Sequence, residues 1–424
     1  MSVEEIDTLV IGAGQSGIAM SEHLSAMGVP HIVLERKRIA ERWRSERWDS
    51  LVANGPAWHD RFPGLAFDDV DPDVFPPKER MARYFEDYAA KIAAPVRTGV
   101  AVTRVSRCEN RPGFIVTTSD GMIEAKRVVA ATGPFQVPHY PDIVPSTAGI
   151  RQWHSSAYKN PAQLGDGAVL VVGGGASGSQ IAEELRAAGK TVYLSIGEHY
   201  RPPRTYRNRD YVWWLGVLGK WDEIKITPKK KHVAFAVSGY DGGKTIDFRR
   251  LAHAGITVLG LTKSYEDGVL RIADDLAHNV AAGDAAYFDV LREADAYIER
   301  NGLDLPAEPE AWDLLADPEC MTQPILALDL AQAGVKSIVW ATGFRFDFSW
   351  LAVDAFDAQG QPFHKRGISA ESGIYFLGLP DLTNRASSFI YGCWHDAKYI
   401  ADHIAIQRNY VAYENRLAMS PGDR

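Results

Sequence analysis

Two stretches of this chain repeat one pattern, and that pattern restricts the fold more than anything else in it. Thr8-Leu-Val-Ile11 runs into Gly12-Ala-Gly-Gln-Ser-Gly17, and Ala168-Val-Leu-Val-Val172 runs into Gly173-Gly-Gly-Ala-Ser-Gly178. Each reads as a buried parallel strand, a tight glycine turn and the start of a helix. Within each turn the glycines have separate tasks. The first (Gly12, Gly173) permits the turn, the second (Gly14, Gly175) lets backbone approach a pyrophosphate, and the third (Gly17, Gly178) lets helix pack on strand. The helix start then offers free N–H groups to phosphate. One such unit is weak evidence for a dinucleotide site. Two imply two dinucleotides, and so electron traffic between them.

A chain of 424 residues is too long for one compact core. The expected fold class is α/β, with two dinucleotide-binding Rossmann-like domains, the second inserted into the first. Residues 1–145 and 340–424 are expected to form the first domain and 146–339 the second, with a helical, aromatic insertion at about 199–320. The Pro-, Ser- and Gly-rich connector from Pro138 to Gly167 marks the boundary. Ala131-Thr132-Gly133 and Ala341-Thr342-Gly343 each follow a buried strand, so each is expected to close one unit with a small-residue turn that a cofactor can approach.

The units differ after their second strands. His31 to Leu34 ends at Glu35, with Arg36 beside it, and a carboxylate there binds both hydroxyls of a ribose without 2′-phosphate, as in FAD or NAD. Thr191 to Ser195 has no closing acid, and Arg201, Arg204, Arg207 and Arg209 follow. A missing carboxylate with arginines nearby favours a 2′-phosphate, hence NADPH over NADH.

Other expectations are local. Lys78 to Ile92 reads as an amphipathic helix, Val100 to Val105 and Phe114 to Thr118 as strands of an antiparallel insertion, and Leu251 to Leu259 and Val269 to Ile272 as strands returning to the sheet. Tyr287 to Gly302 reads as a charged helix, and a final helix starts near Trp394. Trp43 and Trp58 are suited to cover a flat ring, with Asn54 donating a hydrogen bond to it. Trp58, His59, Trp213, Trp214, Phe389 and Tyr391 are candidate substrate contacts, with core packing the alternative for the Trp213-Trp214 stripe. His154 is balanced between orienting a ligand and a structural role, and Lys229-Lys-Lys231 reads as a solvated face.

The net charge of −8 argues against a nucleic-acid partner. No apolar run reaches the ~18 residues of a membrane helix, and no signal peptide is read at the N-terminus. Three dispersed cysteines, Cys108, Cys320 and Cys393, fit a reducing, cytoplasmic setting. They form no metal set and no close thiol pair of the kind that disulfide-reducing flavoproteins use.

Taken together, Gly12 to Gly17, Glu35, Trp43, Phe75-Pro-Pro-Lys78, His154-Ser155, Gly173 to Gly178, Pro203-Arg204-x-Tyr206-x-x-Arg209-Asp210 and Ala341-Thr-Gly-Phe344 resemble the class B flavin-dependent monooxygenases. That superfamily holds the flavin-containing monooxygenases, the plant YUCCA enzymes and the Baeyer–Villiger enzymes, and the nearest look is to bacterial CzcO-like flavoproteins. The resemblance spans about residues 5 to 408. It implies FAD in the first unit, touched by Gln15, Ser16, Glu35, Trp43, Thr132 and Asp381, with the Val102 backbone at the adenine. It implies NADPH in the second, held by Gly173, Gly175, Ser177, Gly178 and Arg204, with Arg201 nearby, and Asn54 near the reactive face of the flavin.

Two departures stand out. The phenylalanine expected ahead of His154 is missing, with Gly149 one position early, and the glycines expected after Glu35 are replaced by Ile39-Ala-Glu-Arg-Trp43. The expected function is an NADPH-dependent monooxygenase that passes one oxygen atom of O₂ to a small organic substrate through a flavin C4a-hydroperoxide. The alternatives are a reductase feeding a protein or quinone, and a flavin-bound sensor or transporter accessory. A homodimer is among the open assembly states.

Overall fold

The computed structural model describes residues 3–224 and 234–418, so the Lys229–Lys231 run lies outside the described residues. Strand Glu4–Ile11 lies within a 10-stranded sheet, paired in parallel with His31–Glu35 on one side and Gly121–Ala130 on the other. Leu9, Val10, Val33, Val128 and Val129 are fully buried there, and each such side chain contributes about 1.5–3 kcal/mol over an exposed one. Ile374–Phe376 pairs in parallel with the end of Gly121–Ala130, so the far end of the chain completes this sheet. Helix Gln15–Ala26 packs along the C-terminal helix Ile390–Ala418.

A second, five-stranded sheet is parallel throughout. Its order is Thr257–Leu259, Val192–Ser195, Ala168–Val172, Val335–Trp340 and Arg151–His154. In each sheet the strand before the glycine turn has a neighbour on both sides, one from the next strand in sequence and one from much later. The strand order therefore reverses beside that strand, which opens a crevice at its carboxyl end, where α/β folds bind ligands.

Several elements differ from expectation. Val269–Ile272 does not return to the nucleotide sheet. The Asp267-Gly268 turn, with both residues at positive φ, folds it back on Thr262–Glu266, and Ala327–Asp329 completes a separate antiparallel sheet. Phe248–His253 is a helix, N-capped by Asp247, and only Thr257–Leu259 joins the sheet. The charged helix begins at Leu276 and ends at Asn301. The helix runs through Gly283, where the missing side chain makes room for the ring of His199. The final helix starts at Ile390, since the buried stripe of Cys393, Ala397, Ile400 and Ile404 extends the apolar face toward its N-terminus. No helix among the described residues is long and apolar enough to cross a membrane.

Candidate functional site

The first glycine turn opens onto a cavity of about 300 Å³. Its walls include Gly12, Gly14, Gln15, Ser16, Glu35, Arg36, Trp43, Val102, Ala131, Thr132 and Gly133, residues that the sequence disperses over more than a quarter of the chain. The turn is as tight as a backbone allows. A Cβ on Gly12 would lie 2.7 Å from the Ala131 carbonyl oxygen, and one on Gly17 would lie 1.8 Å from that of Gly12. Gly14, by contrast, has open space where its side chain would be. It N-caps helix Gln15–Ala26 without any side-chain cap, so the first helical N–H groups are left for a ligand. Gly17 packs helix on strand and is not part of the wall.

Glu35 is held from two sides. Its Oε2 accepts from the Ala13 N–H at 2.9 Å and its Oε1 from the Lys37 N–H at 2.9 Å, which fixes the carboxylate at the cavity and leaves lone pairs for a diol. Arg42 and Arg47 also line the cavity. Burial lowers both guanidiniums from their ordinary values, that of Arg47 to about 10 with the like charge of Arg42 adding to the effect. Arg47 has no ion-pair partner among the described residues. Its guanidinium lies 4.7 Å from the Phe135 ring, and its carbonyl accepts from Lys159 Nζ at 3.0 Å and Lys78 Nζ at 3.5 Å. A half-buried guanidinium with no ion-pair partner among the described residues, on the wall of the same cavity as a helix N-terminus, calls for an anion. A flavin dinucleotide, with its pyrophosphate and its ribose, fits these donors and acceptors.

Arg42 and Arg47 were not singled out by sequence reasoning; the signal available for them was the run of Trp and Arg from Arg42 to Arg61. Ser388 belongs to the polar and aromatic segment Asn384, Arg385, Ser387, Ser388, Phe389 and Tyr391 whose composition suits a flavin edge, and its carbonyl accepts from Gln15 Nε2 at 3.0 Å across 373 positions. Asp381 lies outside the wall at positive φ, three residues past Gly378. A side chain on Gly378 would meet the Ser16 hydroxyl, so this loop is pressed against the helix start.

The second turn has the same backbone. Gly173 and Gly178 stand as close to Ala341 and Gly173 carbonyls as their counterparts do, and Gly175 N-caps helix Ala176–Ala187, which carries Ser177, without a side-chain cap. Its surroundings differ. Ser195, at the position equivalent to Glu35, is buried. Its Oγ donates to the Gly260 carbonyl at 2.8 Å and accepts from the Thr262 N–H at 3.0 Å. The Thr342 hydroxyl donates to the His139 carbonyl, and Gly343 O accepts from His154 Nε2 at 2.9 Å. His154 is fully buried and its Nδ1 lies 2.9 Å from Ser156 Oγ, a structural role rather than a ligand contact. Burial lowers its pKa from the ordinary value, partly offset by the Gly343 carbonyl.

The arginines require a correction. Arg201 is buried with its guanidinium on Asp284, Nη2 to Oδ1 at 2.5 Å, beneath the Tyr287 ring. Arg204 is 1% exposed. It grips Asp210 with two nitrogens, donates from Nη1 to the Asn54 carbonyl at 2.7 Å and lies 4.8 Å from the Phe75 ring. Neither guanidinium is free for a ribose phosphate, because each is itself buried and consumed in an ion pair, with Asp284 buried and Asp210 half-buried. Arg207 is likewise paired, with Asp295.

Asn54 does not line the cavity. It stands between the units, its carbonyl on Arg204 and its side-chain Oδ1 accepting from Gln180 Nε2 at 3.0 Å. Four of the substrate candidates come together. His59 stacks on Trp221 at 5.3 Å and on Tyr391 at 5.2 Å, with Trp58 edge-on at 5.4 Å and Phe389 against Trp221 at 5.4 Å. Trp221 is a member that sequence reasoning missed. His59 Nδ1 lies 2.9 Å from Asp60 Oδ1. Trp213 and Trp214 are elsewhere. Trp214 is fully buried with Tyr206, Leu291 and Ala294, its Nε1 donating to the Tyr206 carbonyl at 3.1 Å, and Trp213 packs edge-on against it. They form the core of the insertion and not a substrate wall, because the helix Leu276–Asn301 covers them.

Comparison with known proteins adds the family. A model of the pyridine nucleotide-disulphide oxidoreductases matches residues 9–215. An oxidoreductase of Geobacillus kaustophilus described as CzcO-like is 32% identical over 403 residues, covering 94% of this chain and 98% of that one. The chain belongs to the CzcO-like oxidoreductases. A probable indole-3-pyruvate monooxygenase of Arabidopsis thaliana, YUCCA4, is 25% identical, covering 94% of this chain and 90% of its own. A flavin-containing monooxygenase of Stenotrophomonas maltophilia superimposes with a TM-score of 0.66 at 20% identity, over 96% of this chain and 99% of its own, which is a likeness of fold. The Geobacillus relative is described as an oxidoreductase, and the matching family model is one of pyridine-nucleotide enzymes. The three cysteines of this chain are all free, and they lie far apart in sequence.

Proposed function

We propose that this CzcO-like protein is an NADPH-dependent flavin monooxygenase that transfers one atom of O₂ to a small organic substrate. The observation that carries the reading is Asn54, an amide fixed at once by Arg204 and by the first helix of the second nucleotide unit. In the first unit Glu35 would take the ribose hydroxyls, the free N–H groups after Gly14 and the Arg47 guanidinium the pyrophosphate, and Trp43 the ring system. FAD bound there supplies hydride acceptance and oxygen activation. The second unit would dock the nicotinamide nucleotide through Gly173, Gly175, Ser177 and Gly178. Ser195, having no carboxylate, would leave a 2′-phosphate unopposed, which supports NADPH even though Arg201 and Arg204 cannot bind it. Asn54 Nδ2 would donate a hydrogen bond where the two cofactors meet. The cluster of Trp58, His59, Trp221, Phe389 and Tyr391 would give the substrate an apolar, water-poor surface.

Incubation with NADPH and ¹⁸O₂ tests this. One labelled oxygen atom should appear in an oxidised amine, sulfide or ketone. If all oxygen consumed is recovered as H₂O₂ for every substrate class offered, the monooxygenase reading fails. NADPH oxidation that instead follows an added quinone or protein acceptor would establish the reductase alternative.

A further inference from the structure

Gln180 is 3% exposed and lies on helix Ala176–Ala187, two residues past the last glycine of the second turn. Its Nε2 donates twice, to the Val237 carbonyl at 3.2 Å and to Asn54 Oδ1 at 3.0 Å. A backbone carbonyl only accepts, so the group facing Val237 must be the NH₂ of Gln180. The atom of Asn54 facing that NH₂ must then be the acceptor, Oδ1. Both amide orientations follow from the one carbonyl: reversing Gln180 would set its oxygen against the Val237 carbonyl oxygen, and reversing Asn54 alone would set two NH₂ groups against each other.

Asn54 is thereby fixed as well as placed. Its Oδ1 is occupied, its backbone carbonyl is held by Arg204 Nη1 at 2.7 Å, and nothing among the described residues accepts from Nδ2. The neighbouring Ala53 carbonyl lies against Gly239, where a side chain would collide with it. We infer that Gln180 is a positioning residue that orients the Asn54 amide so that it presents a donor, never an acceptor, and that it makes this orientation depend on the helix at whose N-terminus the second nucleotide docks. The geometry stands without the monooxygenase reading, and only its effect on turnover rests on that reading.

The test is Gln180→Glu set beside Gln180→Leu in the FAD-loaded protein. A carboxylate is nearly isosteric with the amide but can only accept, so Asn54 should turn its NH₂ inward and its oxygen outward. Leucine removes the preference without reversing it. Product formed per NADPH oxidised should fall about tenfold in Gln180→Glu, the size of one misdirected hydrogen bond, and about threefold in Gln180→Leu. KM for NADPH should change less than this ratio in both. If the direction of the Asn54 amide does not matter, the two variants should give the same product per NADPH once FAD content is matched, whatever the carboxylate facing the Val237 carbonyl costs in stability, and equal ratios would overturn the inference.

A second readout does not depend on activity. In protein labelled with ¹⁵N-asparagine, the Asn54 side-chain resonance, assigned by its loss in Asn54→Asp, should shift in Gln180→Glu. An unchanged resonance overturns the inference, even if the wild-type protein proves to be only a reductase.

Discussion

The two glycine turns of this chain are nearly superimposable in backbone logic and unlike in what surrounds them. Both have a third glycine whose Cβ would stand 1.8 Å from the first glycine's carbonyl oxygen, and both open an uncapped helix. Around the first, the ends of strands and loops converge on a cavity lined by Glu35, with both carboxylate oxygens anchored by backbone N–H groups, by Arg42 paired with Glu46, by Arg47 without an ion-pair partner among the described residues, and by the Ala131-Thr132-Gly133 turn. Around the second, the equivalent groups are bonded within the protein. Ser195 holds Gly260 and Thr262, Thr342 holds His139, Gly343 is held by His154, and Arg201 and Arg204 are buried in ion pairs. A shared turn thus specifies where a dinucleotide backbone can lie, while the neighbouring side chains decide how much of the nucleotide is gripped. On the proposed function, the first unit would keep its cofactor and the second would exchange it.

The largest test of this contrast is Gly17→Ala against Gly178→Ala. Each places a methyl carbon inside van der Waals contact with backbone and should cost about 3 kcal/mol or more by chemical denaturation. Gly17→Ala should purify without flavin colour. Gly178→Ala should stay yellow and lose nicotinamide affinity. Loss of flavin from both would mean that the units do not act separately. Next, Arg204→Ala should destabilise by about 3 kcal/mol, since it leaves Asp210 unpaired beside the Asn54 loop. The ratio of KM for NADPH to KM for NADH should stay within about twofold. A selective rise for NADPH would restore this arginine to the ribose phosphate.

A smaller effect is expected from Glu35→Gln, which keeps shape and removes charge. FAD affinity, read from flavin release, should drop roughly tenfold, while affinity for the nicotinamide nucleotide is unchanged. The smallest is a pH effect at His154. Its folded pKa lies below the ordinary value of 6.5, so the unfolded chain takes up the proton first. Its contribution to stability is complete above about 6.5 and declines as pH falls from there toward the folded pKa. His154→Gln should flatten that part of the stability–pH curve without altering FAD content.

Much of the first unit was legible because its information is local. Strand, turn, helix and Glu35 fall within residues 4–35, and burial, glycine geometry and the helix N-terminus act over that short range. The elements misread, such as Val269–Ile272 and the start of the Leu276–Asn301 helix, had correct periodicity, but their partners or ends were set by distant contacts. Trp213 and Trp214 show the same limit. An apolar stripe reads identically whether a ligand or another helix covers it.

By itself the sequence determined that two dinucleotide units exist, where each begins, and that their acidic partners differ, because these follow from φ-restricted turns and side-chain period. Only the tertiary structure decided what the arginines of the insertion do. A guanidinium goes to the nearest buried carboxylate, and Asp284, 83 positions from Arg201, is near it only after folding. The same holds for Asn54, whose orientation is set by Gln180 across 126 positions. A hydrogen bond is a matter of ångströms, and the linear order of residues does not record them.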